Sequence, residues 1–247
     1  MILAENTLKD FEKHVLSCYP EEACGLQVAG KYVPCKNVHE TPLTSFKIDP
    51  KSIVKAKKIQ AILHSHPYHP LDKKVFEFYN DPRWPSVTDQ EQFNSGKEPW
   101  IIVSTDGTGI SEPVIMDDST WAPLLGREFI WGVQDCYSLL RDYYREHCKI
   151  TLPNYPREWN WWGKGEDQFM QRFADEGFKR ITYDSAEIND ICIFKNDSPI
   201  ANHVGIISGN NEMMQQGVGS LSRISRLDLY IKHVVVWLHY EGKKDAS

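Results

Sequence analysis

Two histidines, His64 and His66, follow an apolar run that begins at Ala61. Residues two apart in an extended strand point to the same face, so the two imidazoles project together while Ser65 points away. Pro67 removes a backbone donor and is expected to end the strand, which places the pair at a strand end. Such a pair suits a metal ion, although histidines at a strand end are more commonly surface or hydrogen-bonded residues. Both interpretations stay open at this point.

A cysteine, a histidine and a glutamine in the second half have the order required for nucleophilic catalysis. Cys136 lies where an amphipathic helix begins, and the unpaired amides there favour a thiolate, so we expect a thiol pKa below its ordinary value of about 8.5. His203 starts an apolar strand as a candidate base, and Gly205 would allow a substrate or another backbone to approach. The returning strand brings either Gln215 or Gln216 alongside. A cysteine at a helix start is also commonly a small buried hydrophobe.

Composition and length limit the class of protein. The chain has 247 residues, 41% of them hydrophobic and 25% charged, which suffices for one large domain or two ordinary ones. The formal net charge is −6, and no basic cluster is dense enough to indicate nucleic acid as a partner. We find no signal peptide and no apolar window that could span a bilayer, so we expect no membrane insertion. The six cysteines form no C-x-x-C pair and are expected to be thiols.

Hydrophobic periodicity predicts a mixture of helices and strands in the first half. A helix is expected over 8–18, and a hairpin over 26–33 with its turn at Gly30 and Lys31. Further elements are a helix over 52–58 and strands over 61–64 and 100–104. This mixture indicates an α/β or α+β domain.

The pattern lapses between residues 112 and 126, which we interpret as a linker with a domain boundary near residue 120. After it, the order is a helix followed by strands, which is typical of an α+β domain. The helix is expected over 135–147 and the strands over 191–194, 203–208, 212–216 and 233–240.

Two acidic motifs complete the histidine pair. Glu22 stands in E-x-C-G, and Ser86 and Asp89 stand in P-S-x-x-D. Together with H-S-H-P, these motifs resemble the JAMM metallopeptidases, over residues 1–115. The resemblance implies a JAMM-like α/β domain, a mixed sheet flanked by helices, in which Glu22 activates a water and Ser86 polarises the scissile carbonyl. It also implies one zinc ion, bound by His64, His66 and Asp89.

One departure from that family pattern concerns spacing. His66 and Asp89 are separated by 22 residues, about twice the usual number in the family. We interpret residues 68–84 as an insertion at the rim of the site, either a substrate lid or a docking surface. His69 and Asp72 are the alternative ligands. Asp89 also fits a helix start, and Glu22 also fits a solvated acid.

The second set of motifs resembles the NlpC family of papain-like murein peptidases, over residues 127–240. The shared features are D-C-x-x-L on a helix, D-I-x-I-F on a strand, H-V-G-I, and a polar residue twelve positions later, which selects Gln215. The resemblance implies a papain-like α+β fold with Cys136 as nucleophile, His203 as base and Gln215 as the group that orients the base. Asn189 replaces the usual glycine before the second motif, and asparagine accepts left-handed backbone.

The segment 135–162 resembles the tail tip assembly proteins of lambda-like phages, which combine a JAMM and an NlpC domain in this order. This likeness implies a zinc metallopeptidase domain over 1–118, a linker over 119–126 and a cysteine peptidase domain over 127–247. It also implies hydrolysis of peptidoglycan peptides during cell-wall penetration, other tail tip proteins as partners, and a place in the virion tail tip after assembly in the host cytoplasm.

Two alternatives accompany this interpretation. The protein is a structural tail tip component in which one or both sites are vestigial, or a cellular enzyme that trims murein or ubiquitin-like tags. For Trp159, Trp161 and Trp162, a wall of the catalytic cleft and a place in the structural core are equally good predictions.

Overall fold

The chain forms two compact units, Met1–Trp121 and Ala122–Ser247. The structure is a computed structural model that describes residues 5–56, 58–69, 81–119 and 122–242. Within these ranges no helix is long and apolar enough to cross a membrane.

The first unit is built on a five-stranded sheet with the strand order β2-β1-β3-β4-β5. Only β3 and β4 are parallel, and the other neighbours are antiparallel. The strands are β1 (Cys24–Val28), β2 (Lys31–Cys35), β3 (Ile59–Pro67), β4 (Trp100–Thr105) and β5 (Val114–Met116). Three helices accompany the sheet: α1 (Glu5–Cys18), α2 (Pro50–Lys55) and α3 (Val87–Ser95).

Helix α1 covers one face of this sheet and leaves the histidine pair on the other. Phe11 and Val15 of α1 pack with Ala61 and Leu63 of β3 in one buried cluster. Side chains alternate along a strand, so the even-numbered residues of β3, including His64, lie on the face opposite to Ala61 and Leu63.

Three sequence expectations in this unit need correction. The hairpin turn is centred on Ala29 and Gly30, one residue earlier than predicted, because both residues have positive φ values of 50° and 74° and Val28 pairs with Lys31. Helix α2 ends at Lys55 rather than continuing to residue 58. The segment interpreted as a linker contains β5, and Leu124 further along is buried in the core of the second unit.

The second unit contains a six-stranded antiparallel sheet with the strand order β10-β9-β8-β7-β11-β6. The strands are β6 (Phe178–Ile181), β7 (Ile191–Phe194), β8 (His203–Gly209), β9 (Glu212–Gln215), β10 (Arg223–Arg226) and β11 (Val234–Tyr240). Helix α4 (Cys136–Tyr143) precedes the sheet and runs on as a π-helix, and α5 (Gln168–Arg172) is a short helix.

The two faces of this sheet have separate cores. Leu139 and Leu140 of α4 pack with Ile193 and Val204 on one face. On the other face, Met213 packs with Cys192, Phe194 and Trp237.

Gly205 has a packing role that differs from the one expected. A Cβ atom at this position would lie 2.4 Å from Sδ of Met213 and 3.3 Å from a ring carbon of Phe194. The space above Gly205 is therefore filled by Met213, and the interpretation that it admits a substrate or another backbone is wrong. Asn189, in contrast, has the expected left-handed backbone, with φ of 80°.

Candidate functional sites

Helix α4 begins at Cys136 because the preceding residue, Asp135, caps its N-terminus. The Asp135 carboxylate accepts hydrogen bonds from the backbone N–H groups of Ser138 and Gly132, each at 2.9 Å. Arg157 donates to the same carboxylate from Nε at 2.7 Å and from Nη2 at 2.9 Å. This buried ion pair fixes the start of the helix and with it the position of the thiol.

The Cys136 thiol is buried and neutral in this structure. Burial raises the pKa of Cys136 to about 12, and the charge of Asp135 raises it further. The backbone N–H groups of Val204 and Tyr137 and the charge of Arg157 oppose that effect without reversing it. The expected low thiol pKa is therefore wrong, because desolvation of the thiolate outweighs the amides at the helix start.

His203 on β8 is held by one of the two candidate glutamines. Its Nε2 lies 3.0 Å from Oε1 of Gln215, and Nε2 of Gln215 donates to Oγ of Ser225 at 2.9 Å. The amide oxygen therefore faces the imidazole, which assigns the proton to Nε2 and leaves Nδ1 as the basic nitrogen. Gln216 points elsewhere and donates to the backbone carbonyl of Glu128 at 2.8 Å.

The imidazole is also neutral. Burial lowers the pKa of His203, the bond to Gln215 raises it, and the charge of Arg223 lowers it again. Within the described residues, no hydrogen bond joins the thiol of Cys136 to this ring. Two neutral partners of this kind suit a mechanism in which the proton leaves the thiol as the nucleophile attacks.

A largely apolar cavity opens beside Cys136. Its walls include Trp131, Tyr137 and Trp161, together with aliphatic residues of the α4 core. Trp161 is therefore both cavity wall and buried side chain. Trp159 and Trp162 pack edge-on against Trp131, with ring centroids at 4.9 and 5.7 Å, and so support the wall from behind.

In the first unit, His64, His66 and Asp89 come together. Nε2 of His64 lies 3.0 Å from Nε2 of His66, and each nitrogen lies 3.3 Å from one oxygen of the Asp89 carboxylate. In the described part of the chain, this is the only cluster of three or more His, Cys, Asp or Glu residues with metal-site geometry.

Neighbouring groups orient these side chains. Nδ1 of His66 lies 2.8 Å from the carbonyl oxygen of Pro82, so Nδ1–H donates and Nε2 keeps its lone pair. Ser86 is the N-cap of α3, and its hydroxyl donates to Oδ2 of Asp89 at 2.7 Å. Asp89 is thus both a helix-capping residue and a member of the cluster, and Ser86 lies beside it. The sequence contained no signal for Pro82, whose contribution is a backbone carbonyl.

Glu22 lines the same groove as His66, Ser86 and Asp89. Burial raises the pKa of Glu22 to about 7, with His66 lowering it and Asp89 raising it. The pKa of Asp89, by contrast, is held well below its usual range by His64 and His66 although burial opposes this. A buried carboxyl group that titrates near neutrality suits a general base.

The alternative ligands have different outcomes. His69 is exposed and does not belong to the cluster. Asp72 lies outside the described residues, as does most of the 68–84 insertion, over 70–80.

Comparison with known proteins identifies the second unit. The NlpC/P60 family matches residues 126–238. The second unit is therefore an NlpC/P60 domain with the papain-like α+β fold, which confirms that part of the sequence interpretation. The JAMM-like character of the first unit stays a prediction.

Particular relatives extend the likeness over the chain. Tail tip assembly protein K of Escherichia phage N15 is 29% identical over 231 residues, which is 90% of this chain and 88% of that protein. Tail tip assembly protein K of Escherichia phage lambda is 28% identical, over 68% of this chain and 75% of that protein. The Probable TtuB-protein conjugate cleaving protease of Thermus thermophilus is 30% identical over 112 residues, 40% of this chain and 67% of that protein. Over most of its length the chain is thus similar to a phage tail tip assembly protein.

Proposed function

We propose that the second unit is a cysteine peptidase that hydrolyses peptide bonds of bacterial peptidoglycan. The observation that carries this proposal is the 3.0 Å contact between His203 and Gln215 at the start of β8, in the same domain as a cysteine that begins a helix. A nucleophile, a base and a group that orients the base are the three parts of a papain-like site.

In the proposed reaction, Sγ of Cys136 attacks the peptide carbonyl carbon while its proton passes to Nδ1 of His203. The backbone N–H groups of Cys136 and Tyr137, which Asp135 does not accept, would stabilise the negative oxygen that forms. The proton then moves to the leaving amine, and the C–N bond breaks. Water, deprotonated by His203, hydrolyses the thioester and regenerates the thiol. Gln215 keeps the imidazole in the Nε2–H tautomer throughout.

The likeness to tail tip assembly proteins supports the biological setting of this chemistry. The protein would assemble with other tail tip proteins in the host cytoplasm and reach the cell wall as part of the virion. There, cleavage of crosslinked peptides would open a path for genome ejection. In the structural alternative, the same folds would serve only as assembly surfaces.

A second site is favoured by the cluster in the first unit. Two imidazole nitrogens and a carboxylate oxygen are the donors that a catalytic zinc ion takes, and here the two nitrogens and the carboxylate lie within 3.3 Å of one another. We infer that His64, His66 and Asp89 bind one zinc ion. When bound, zinc would lower the pKa of a coordinated water. Glu22 would hold the proton taken from that water. The Ser86 hydroxyl, which donates to Asp89 in this structure, would turn to donate to the scissile carbonyl.

This assignment makes the first unit a metallopeptidase or isopeptidase. The partial likeness to a conjugate-cleaving protease agrees with that class. Its substrate would be the same crosslinked peptides or a tail protein.

Digestion of purified peptidoglycan tests the proposal for the second unit. Wild-type protein should release soluble peptides and new amino termini, and Cys136→Ala should release none. Equal release by both proteins would exclude Cys136 as the nucleophile, and no release by either would favour the structural alternative.

A further inference from the structure

The edge strand β10 places a cation beside the proposed cysteine site. β10 pairs antiparallel with β9, and Arg223 lies directly opposite Gln215, the residue that holds His203. Directly opposed residues of an antiparallel pair point to the same face, so the guanidinium is on the His203 side of the sheet. Arg223 is also exposed, because β10 is the last strand of the sheet.

Arg223 differs from the other arginine of its strand in having no acidic partner. Arg226 forms an ion pair with Asp228, Nη2 to Oδ2 at 2.6 Å, and pairs in register with Glu212. In the residues that the structure describes, no carboxylate lies within ion-pair distance of Arg223. In a chain with a net charge of −6, this exposed cation has been left unneutralised next to the proposed base.

The guanidinium of Arg223 is a group of hydrogen-bond donors beside Gln215. Its N–H donors form a planar, rigid fork. Donors of this kind recognise carboxylates.

In the protein without substrate, the positive charge of Arg223 opposes the proposed reaction. Burial lowers the pKa of His203, and Arg223 lowers it further, so the cation opposes formation of the imidazolium that the reaction requires. An anion bound to Arg223 would cancel this effect at the moment when substrate is in place. The position of the cation is thus unfavourable without an anionic ligand and favourable with one.

We propose that Arg223 binds a free carboxylate of the peptide substrate beside His203 of the proposed cysteine site. The inference rests on the proposed function and names its substrate class: peptides that carry a carboxylate close to the scissile bond. Peptidoglycan stem peptides have such groups at their glutamate and diaminopimelate residues. Arg223 is thereby a specificity-determining residue.

Peptide binding to full-length Cys136→Ala protein tests this inference without turnover. The probes are a stem tetrapeptide with its carboxylates free and the same tetrapeptide with its carboxylates amidated one at a time. Calorimetry should give about tenfold tighter binding of one free acid than of the matching amide, the gain expected for one exposed charge-assisted hydrogen bond. The position at which amidation removes this gain in affinity identifies the carboxylate that Arg223 binds.

In Arg223→Gln, the free acid and the matching amide should bind with about equal affinity. Arg226→Gln, the matched control on the same strand, should retain the preference for the free acid. The inference is overturned if no stem peptide binds, if the acid is not preferred, or if both arginine variants lose the preference equally. If the preference depends on Arg223 while wild-type protein cleaves no peptidoglycan, the inference stands and the proposed function fails.

Discussion

His203 and Gln215 meet across β8 and β9 with Nε2 of the imidazole 3.0 Å from Oε1 of the amide. Because Ser225 holds the other end of that amide, the contact selects one tautomer of the ring. Gln215→Leu should lower kcat for peptide hydrolysis by about tenfold to a hundredfold, since the base would lose its orientation.

Ser225→Ala is the graded control for that prediction. It removes only the 2.9 Å bond to the Gln215 amide and should cost about fivefold or less in kcat. Full activity in Gln215→Leu, or a larger loss in Ser225→Ala, would show that the amide does not orient the base.

The thiol of Cys136 should be slow to alkylate near neutral pH. Burial raises the pKa of this thiol to about 12, so the reactive thiolate is scarce at pH 7. As the pH rises toward that pKa, the thiolate fraction increases about tenfold for each pH unit. Mass spectrometry after iodoacetamide treatment at pH 6, 7 and 8 measures this, with the half-buried Cys18 and Cys148 as internal references. Labelling of Cys136 ahead of both references at pH 6 would instead indicate a thiolate–imidazolium pair in solution.

Zinc binding should depend on the cluster of the first unit. Purified protein should carry about one zinc ion per chain, and His66→Ala should lose most of it because a three-ligand site becomes a two-ligand site. Metal analysis by mass spectrometry provides the measurement, and circular dichroism checks the fold. His39→Ala is the matched control, since His39 lines the same groove without belonging to the cluster. Zinc retained in full by His66→Ala would rule out the assignment.

Gly205→Ala should destabilise the protein through packing. The added Cβ would lie 2.4 Å from Sδ of Met213, and overpacking of this kind costs about 1–3 kcal/mol. Denaturant unfolding measures the loss. In a Met213→Ala background the same change should cost clearly less, because the clashing atoms are gone. An equal cost in both backgrounds would argue against Met213 as the cause.

Local patterns predicted the parts of the site that depend on one element. The period of two in β3 correctly puts His64 and His66 on one face, and the amphipathic pattern correctly begins α4 near Cys136. The strands β6 and β10 were missed because they are short and mostly exposed, so neither carries an apolar period.

Other parts depend on contacts between residues distant in sequence. Arg157 reaches Asp135 from 22 positions away, and the Pro82 carbonyl contributes no side chain that a motif could reveal. The burial that raises the pKa of Cys136 arises from the packing of α4 on the sheet. The choice of Gln215 over Gln216 required the family spacing, because alternation alone allowed either residue.

The most direct test of an independent cysteine site in the second unit compares chelation with removal of the thiol, using full-length protein and purified peptidoglycan. The proposed nucleophile and base, Cys136 and His203, need no metal, so release of peptides should persist within about twofold after treatment with a zinc chelator and should disappear in Cys136→Ala. Loss of the same peptide release in both experiments would contradict an independent cysteine site in the second unit.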